Sequence, residues 1–155
     1  MDERTFARLA EDYAPRLYTV AYRMLGHRAD AQDAVQRALT KCFAARATYS
    51  PRWAASTWLY RALANVCIDE LRRRRPLEPL AERLPAPRDG GGAEHVDLAR
   101  ALERVPREAR LLLALRYVDG LSYGELAAVR GISVNTVKSQ LARGKSILKT
   151  ALDGR

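Results

Sequence analysis

Residues 121–145 read LSYGELAAVRGISVNTVKSQLARGK, and the fold is decided there. Ser122 and Glu125 have the spacing of a capping box, in which the hydroxyl accepts from one backbone N–H and the carboxylate from the other. A helix is predicted to start at this point, with Leu126, Ala127 and Val129 as its apolar positions. It ends at Gly131, which can take the left-handed conformation without a Cβ penalty. Ser133 offers a second N-cap, and Val137 with Leu141 gives the i, i+4 apolar pair of a following helix. This is the pattern of a helix-turn-helix: small Ala127 lets the helices approach, and Ile132 with Val137 fills the angle between them. Off the apolar line stand Asn135, Thr136, Lys138, Ser139 and Arg143, with no carboxylate among them. Such groups suit base edges and phosphate oxygens.

The rest of the composition points the same way. The chain has 155 residues and a formal charge of +9, which favours a polyanionic partner, because each cation that neutralises a phosphate releases a counterion. Nucleic acid is the first candidate. The longest aliphatic run, residues 111–115, is far too short to span a bilayer, so no membrane insertion is expected. The start is acidic and lacks a signal-type apolar core, which makes the cytoplasm the expected compartment. Cys42 and Cys67 fall on or beside apolar helical positions with no ligand partner nearby and read as buried, reduced thiols. No convergent acid, base, nucleophile or metal cluster is visible, so neither an enzyme nor a cofactor is expected.

Upstream of the helix-turn-helix the periodicity is helical throughout. Phe6, Leu9, Ala10 and Tyr13 mark a first helix, and Pro15 suits the first turn of a second that runs through Leu17, Ala21 and Leu25 to Gly26. A third should begin at Asp30 as its cap, burying Ala31, Ala34, Val35, Ala38 and Cys42. Residues 49–57, YSPRWAAST, break the period around Pro51. Tyr49, Arg52 and Trp53 there either hold an unstacked base or, in the case of Trp53, pin the loop to the bundle. A long helix over residues 58–75 points Arg61, Asn65 and Arg72 outward and ends in four adjacent arginines, which repel one another unless an anion neutralises them. Phosphate is the expected anion. The prolines and glycines of residues 76–92 then read as a flexible linker. Each half should bury only about 60% of its unfolded surface, so a binding partner should raise stability measurably.

Three stretches in this order resemble the extracytoplasmic-function sigma factors of the bacterial sigma-70 family. RADAQDAVQRALTKCF, residues 28–43, is similar to the family's polymerase-binding helix. STWLYRALANVCIDELRRRRP, residues 56–76, is similar to its promoter-melting helix, and residues 104–148 to the domain that reads the upstream element. The resemblance implies an all-α fold: a region 2 four-helix bundle over residues 1–76, a flexible linker over 77–96, and a region 4 helix-turn-helix domain over 97–155. It also implies partners and sites. Asp30, Asp33, Gln36, Arg37 and Lys41 would dock on core RNA polymerase. Tyr49, Arg52, Trp53, Arg61 and Asn65 would capture a flipped base of the −10 element of promoter DNA, with Arg72, Arg73 and Arg74 on nearby phosphate. Ser133, Asn135, Thr136, Lys138, Ser139 and Arg143 would sit in the major groove of the −35 element. An anti-sigma factor would be a further partner. Gln32 and Arg37 stand where the family usually has acids, while Ala64 and Gln140 stand where it often has bases.

Two competing readings make different demands. A sigma-like module that only occupies an anti-sigma factor would lack DNA-reading residues, and this chain has them. A dimeric repressor would need a dimerisation helix to set half-site spacing, but the terminal helix is short and already needed for the domain core.

Overall fold

The computed structural model describes residues 1–52, 54–74 and 92–154, with side chains from Asp97 onward in the last block. Among these residues are seven α-helices, one 3₁₀ turn at Arg46–Thr48 and no strand. The helices are α1 (Glu3–Leu25), α2 (Arg28–Ala44), α3 (Ala55–Arg73), α4 (Gly92–Glu103), α5 (Arg107–Asp119), α6 (Tyr123–Arg130) and α7 (Val134–Asp153). Helices α1 to α3 pack on one another as a first module, and α5 to α7 form the core of a second. The all-α class and the order of the modules are as expected. Trp53 and residues 77–91 of the expected linker lie outside the described residues.

The first module differs from its sequence in two places. Pro15 does not restart the chain but lies inside one unbroken α1. An internal proline forfeits a backbone bond and costs about 3 kcal/mol, yet Phe6 before it and Leu17, Val20, Ala21, Met24 and Leu25 after it are all buried along one stripe. That packing carries the helix through Pro15, so the two helices expected on either side of it are one. Helix α2 starts at Arg28 with His27 as an N-cap that makes no side-chain bond, and Asp30 falls in its first turn. Asp30 is thus free to pair elsewhere.

Helix α5 organises the second module. Every residue from Ala109 to Leu115 is buried, so the helix has no solvent face over two turns and must be covered from opposite sides. Helix α7 covers one side and α1 the other, and the result is a single apolar cluster running from Phe6 to Leu141 through both modules. Gly144 makes the α7 contact possible: a Cβ there would lie 3.0 Å from Leu113 Cδ1 and 3.2 Å from Ala109 Cβ. Cys42 and Cys67 are buried free thiols, and burial pushes them up to about 11 and about 12.

Candidate nucleic-acid interface

The helix-turn-helix is built by its caps. Ser122 Oγ accepts from the Glu125 N–H at 3.1 Å and Glu125 Oε1 from the Ser122 N–H at 2.8 Å, which starts α6. Gly131 ends it in the left-handed region at φ 66°. Ser133 Oγ then accepts from the Thr136 N–H at 3.1 Å and starts α7. Val137 and Leu141 point into the core against Leu126 and Val129, which fixes the angle at which α7 leaves the turn.

With that side buried, the opposite side of α7 stands in solvent. Asn135, Thr136, Lys138, Ser139 and Arg143 are all exposed, as is Ser133. The three hydroxyls are partly committed: Ser139 Oγ donates to the Asn135 carbonyl at 3.0 Å, and Thr136 Oγ1 lies 2.9 Å from Ser133 Oγ. Asn135, Lys138 and Arg143 are therefore the readiest groups for a base edge or phosphate. The first acid on the helix is Asp153, so a duplex would meet no carboxylate along the row.

The second candidate surface is the outer face of α3. Arg61 and Asn65 lie one turn apart on it, Asn65 exposed and Arg61 half-buried. Both meet α6: Arg61 Nη1 donates to the Ala128 carbonyl at 2.6 Å, and Arg130 Nη1 donates to Asn65 Oδ1 at 3.2 Å. Tyr49 packs its ring 5.0 Å from that of Trp58, which itself meets Phe6 at 6.0 Å, so Trp58 anchors the start of this loop. Arg52 is exposed. Ala64, at a position where a base would have been read as a phosphate ligand, is fully buried in the α3 core.

The arginine run is neutralised differently from the sequence expectation. Arg74 is only 8% exposed; it donates to Asp30 Oδ2 at 2.8 Å and to the Leu25 carbonyl at 2.9 Å. It closes the C-terminal end of α1, whose last carbonyls have no partner within the helix. Arg73 pairs with Glu70 at 3.0 Å and Arg72 with Asp69 at 3.8 Å, both in solvent. Arg72 and Arg73 stay exposed, whereas Arg74 ties the end of α3 to α1 and α2.

On α2, Asp33, Gln36 and Lys41 are exposed, while Arg37 lies 3.5 Å from Asp33 and 3.9 Å from Glu70 and so ties α2 to α3. Asp30 is shared with Arg74. No group of metal-ligating side chains occurs among the described residues, and no described helix is long and apolar enough to cross a membrane.

The local sequence gave no hint of the residues that join the modules. Arg110, 7% exposed, donates to the Met24 carbonyl at 2.8 Å and the Val105 carbonyl at 3.0 Å, and Tyr60 Oη donates to Asp119 Oδ2 at 2.8 Å. Arg130 is held by both oxygens of Glu108 at 3.0 Å each. Arg110–Met24 and Tyr60–Asp119 join residues 86 and 59 positions apart, beyond the reach of any spacing rule.

Known proteins carry the same two modules. The family model "Sigma-70 region 2" matches residues 9–76 and "Sigma-70, region 4" matches residues 95–148. The ECF RNA polymerase sigma factor SigE of Mycolicibacterium smegmatis is 32% identical over 93% of this chain, which spans 60% of that protein's length. SigM of Mycobacterium tuberculosis is 30% identical, with 97% of this chain and 79% of the relative aligned. Among solved structures, CnrH in complex with the cytosolic domain of CnrY superposes with a TM-score of 0.79 at 26% identity, covering 99% of this chain and 90% of CnrH. With matching sequence and fold over both modules, this chain belongs to the extracytoplasmic-function sigma factors of the sigma-70 family.

Proposed function

We propose that the chain is the promoter-specificity subunit of a bacterial RNA polymerase, working in the cytoplasm, with the second module reading the −35 element and the first reading and helping to melt the −10 element. The observation that carries this is the exposed, acid-free row on α7, displayed by a fully capped helix-turn-helix on the same chain as the Arg61 and Asn65 face of α3. Asn135, Lys138 and Arg143 would enter the major groove, with Ser133, Thr136 and Ser139 lining its edge. Asn65, with Tyr49, Arg52 and Trp53, would hold a flipped −10 base, while Arg72 and Arg73 hold the backbone beside it. Asp33, Gln36 and Lys41 on α2, with Asp30 and Arg37 at its edge, would meet core polymerase.

The chain supplies no covalent step in this account. Unstacking a base costs a few kcal/mol, and stacking it in a protein pocket returns about 1–3 kcal/mol, so binding energy drives melting. Control by an anti-sigma factor fits the same reading: CnrH was solved with a second protein's cytosolic domain. A module that merely occupies an anti-sigma factor would have no use for an acid-free basic row, which favours the DNA-reading account.

The test is reversal of Asp33 to Arg, assayed by co-purification with core polymerase. Weakened association is expected, because the change removes an exposed carboxylate from the docking face. Unchanged association would move the polymerase interface off α2.

A further inference from the structure

We infer that a groove along the seam between the modules is a binding site for a small amphipathic anion: a free alkyl carboxylate whose chain lies on the leucines of α4, α5 and α7 and whose head meets Arg23 of α1. No residue proposed above for promoter DNA or polymerase lines this groove, so the inference stands apart from that reading.

The groove is built from the faces of four helices. Arg16, Thr19 and Arg23 recur at i, i+3 and i+7, which sets them on one face of α1 beside the buried stripe. Opposite them stand Leu98 of α4 and the last turn of α5. Between lie two adjoining hollows that share Arg23, Leu98, Tyr117 and Val118 as walls. The outer, about 580 Å³, adds Arg16 and Thr19. The inner, about 280 Å³, adds Leu102, Leu113 and Leu148, and Arg23 and Tyr117 are its only polar side chains. Small-molecule sites have this scale, roughly 300–1,000 Å³. The groove also accounts for Tyr117, which is 65% exposed and yet serves as a wall.

Charge decides the kind of occupant. The walls carry two guanidiniums and no carboxylate. Arg16 is partly spent, lying 3.5 Å from Asp119 Oδ1 and 4.6 Å from the centre of the Tyr13 ring. Arg23 is half-buried, and among the described residues no carboxylate pairs with it. Its place in the last turn of α1 suits the helix dipole but leaves its fork of N–H donors open. A guanidinium in that setting gains most from a planar acceptor that takes two N–H bonds at once, and a carboxylate is such an acceptor. Lys145, 5.6 Å from the centre of the Tyr117 ring, adds a further cation beside the mouth. The leucines at the inner end offer nothing polar, so the rest of the ligand is hydrocarbon. Inorganic phosphate would match the cations and leave those leucines wet, while a hydrocarbon without a head would leave Arg23 uncompensated.

The test is isothermal titration calorimetry of the full chain with octanoate below its micelle-forming concentration, with acetate and octanol as the two halves of the ligand. Wild type should bind octanoate saturably and acetate not at all. Arg23→Gln should bind octanoate about tenfold more weakly and octanol as wild type does, because only the charged bond is lost. Arg8→Gln removes the same charge from an exposed position on α1 outside the groove and should leave octanoate binding unchanged. Leu98→Glu sets a carboxylate in the wall that both hollows share and should abolish binding. Circular dichroism checks that each variant is helical, and Arg23→Gln carries the test if Leu98→Glu is not. A wild type that shows no saturable octanoate binding overturns the proposal. Equal weakening by Arg23→Gln and Arg8→Gln overturns it too, by assigning the attraction to the net charge of +9. Octanol bound as tightly as octanoate removes the anion from the site.

Discussion

Arg110, Arg74, Arg130 and Arg143 carry the same charge, and the structure gives them different work. Arg110 and Arg74 are nearly buried, and each gives one donor to a carbonyl at the end of α1. Arg130 spans the seam, and Arg143 stands in solvent on α7. Only the last was legible in the sequence, because it lies in a row whose helical phase is set by Val137 and Leu141. Arg74, expected on phosphate, has a carboxylate of the chain itself as its anion: Asp30, 44 positions away on another helix. Arg110→Ala would leave the Met24 and Val105 carbonyls short of a charged donor and should destabilise the fold by about 3 kcal/mol, measurable by urea denaturation. Asn65→Ala should abolish open-complex formation, read by permanganate footprinting, with core binding intact; normal melting would remove Asn65 from the site. Lys138→Ala or Arg143→Ala should each cost about 1–3 kcal/mol on the −35 element if a base is held bidentately. An equal loss on every duplex would instead assign the residue to phosphate.

Capping made some elements readable before any coordinates. Ser122 with Glu125, Gly131 and Ser133 each signalled a helix end by local chemistry, and each end forms as read. What local chemistry misses is a helix held by its neighbours. Pro15 argues for a break at its own position, and the buried stripe on either side outweighs it. Gly144 looks like a weak point in α7, but it is the position where α7 lies against Ala109 and Leu113 of α5. Gly144→Ala should therefore lower stability by about 1 kcal/mol, the overpacking cost exceeding the gain in helix propensity, and a thermal melt reads the sign. At Gly131 the reason differs: φ is 66° with open space around it, so Gly131→Ala is opposed by backbone strain of about 1–2 kcal/mol alone.

At the scale of the molecule, the all-round burial of α5 calls for helices on two sides. One proved to be α7 and the other α1, from the far module, and this is why two modules read as separate share one core. Buried thiols give that core a pH limit. The Cys42 and Cys67 protons stay bound in the folded state up to about 11 and about 12, while the unfolded chain releases them near the ordinary value of 9.0. The folded state then binds more protons, so the thiol contribution to stability is present below pH 9 and is lost as pH rises toward 11. Denaturant midpoints that fall across that window, less steeply in Cys42→Ala, would match this. The central claim, promoter specificity, is tested most directly by run-off transcription with core RNA polymerase on a library of candidate promoters, with and without the protein. The account predicts protein-dependent transcripts whose templates share two spaced upstream elements; a chain that binds core polymerase yet yields no such transcripts would contradict it.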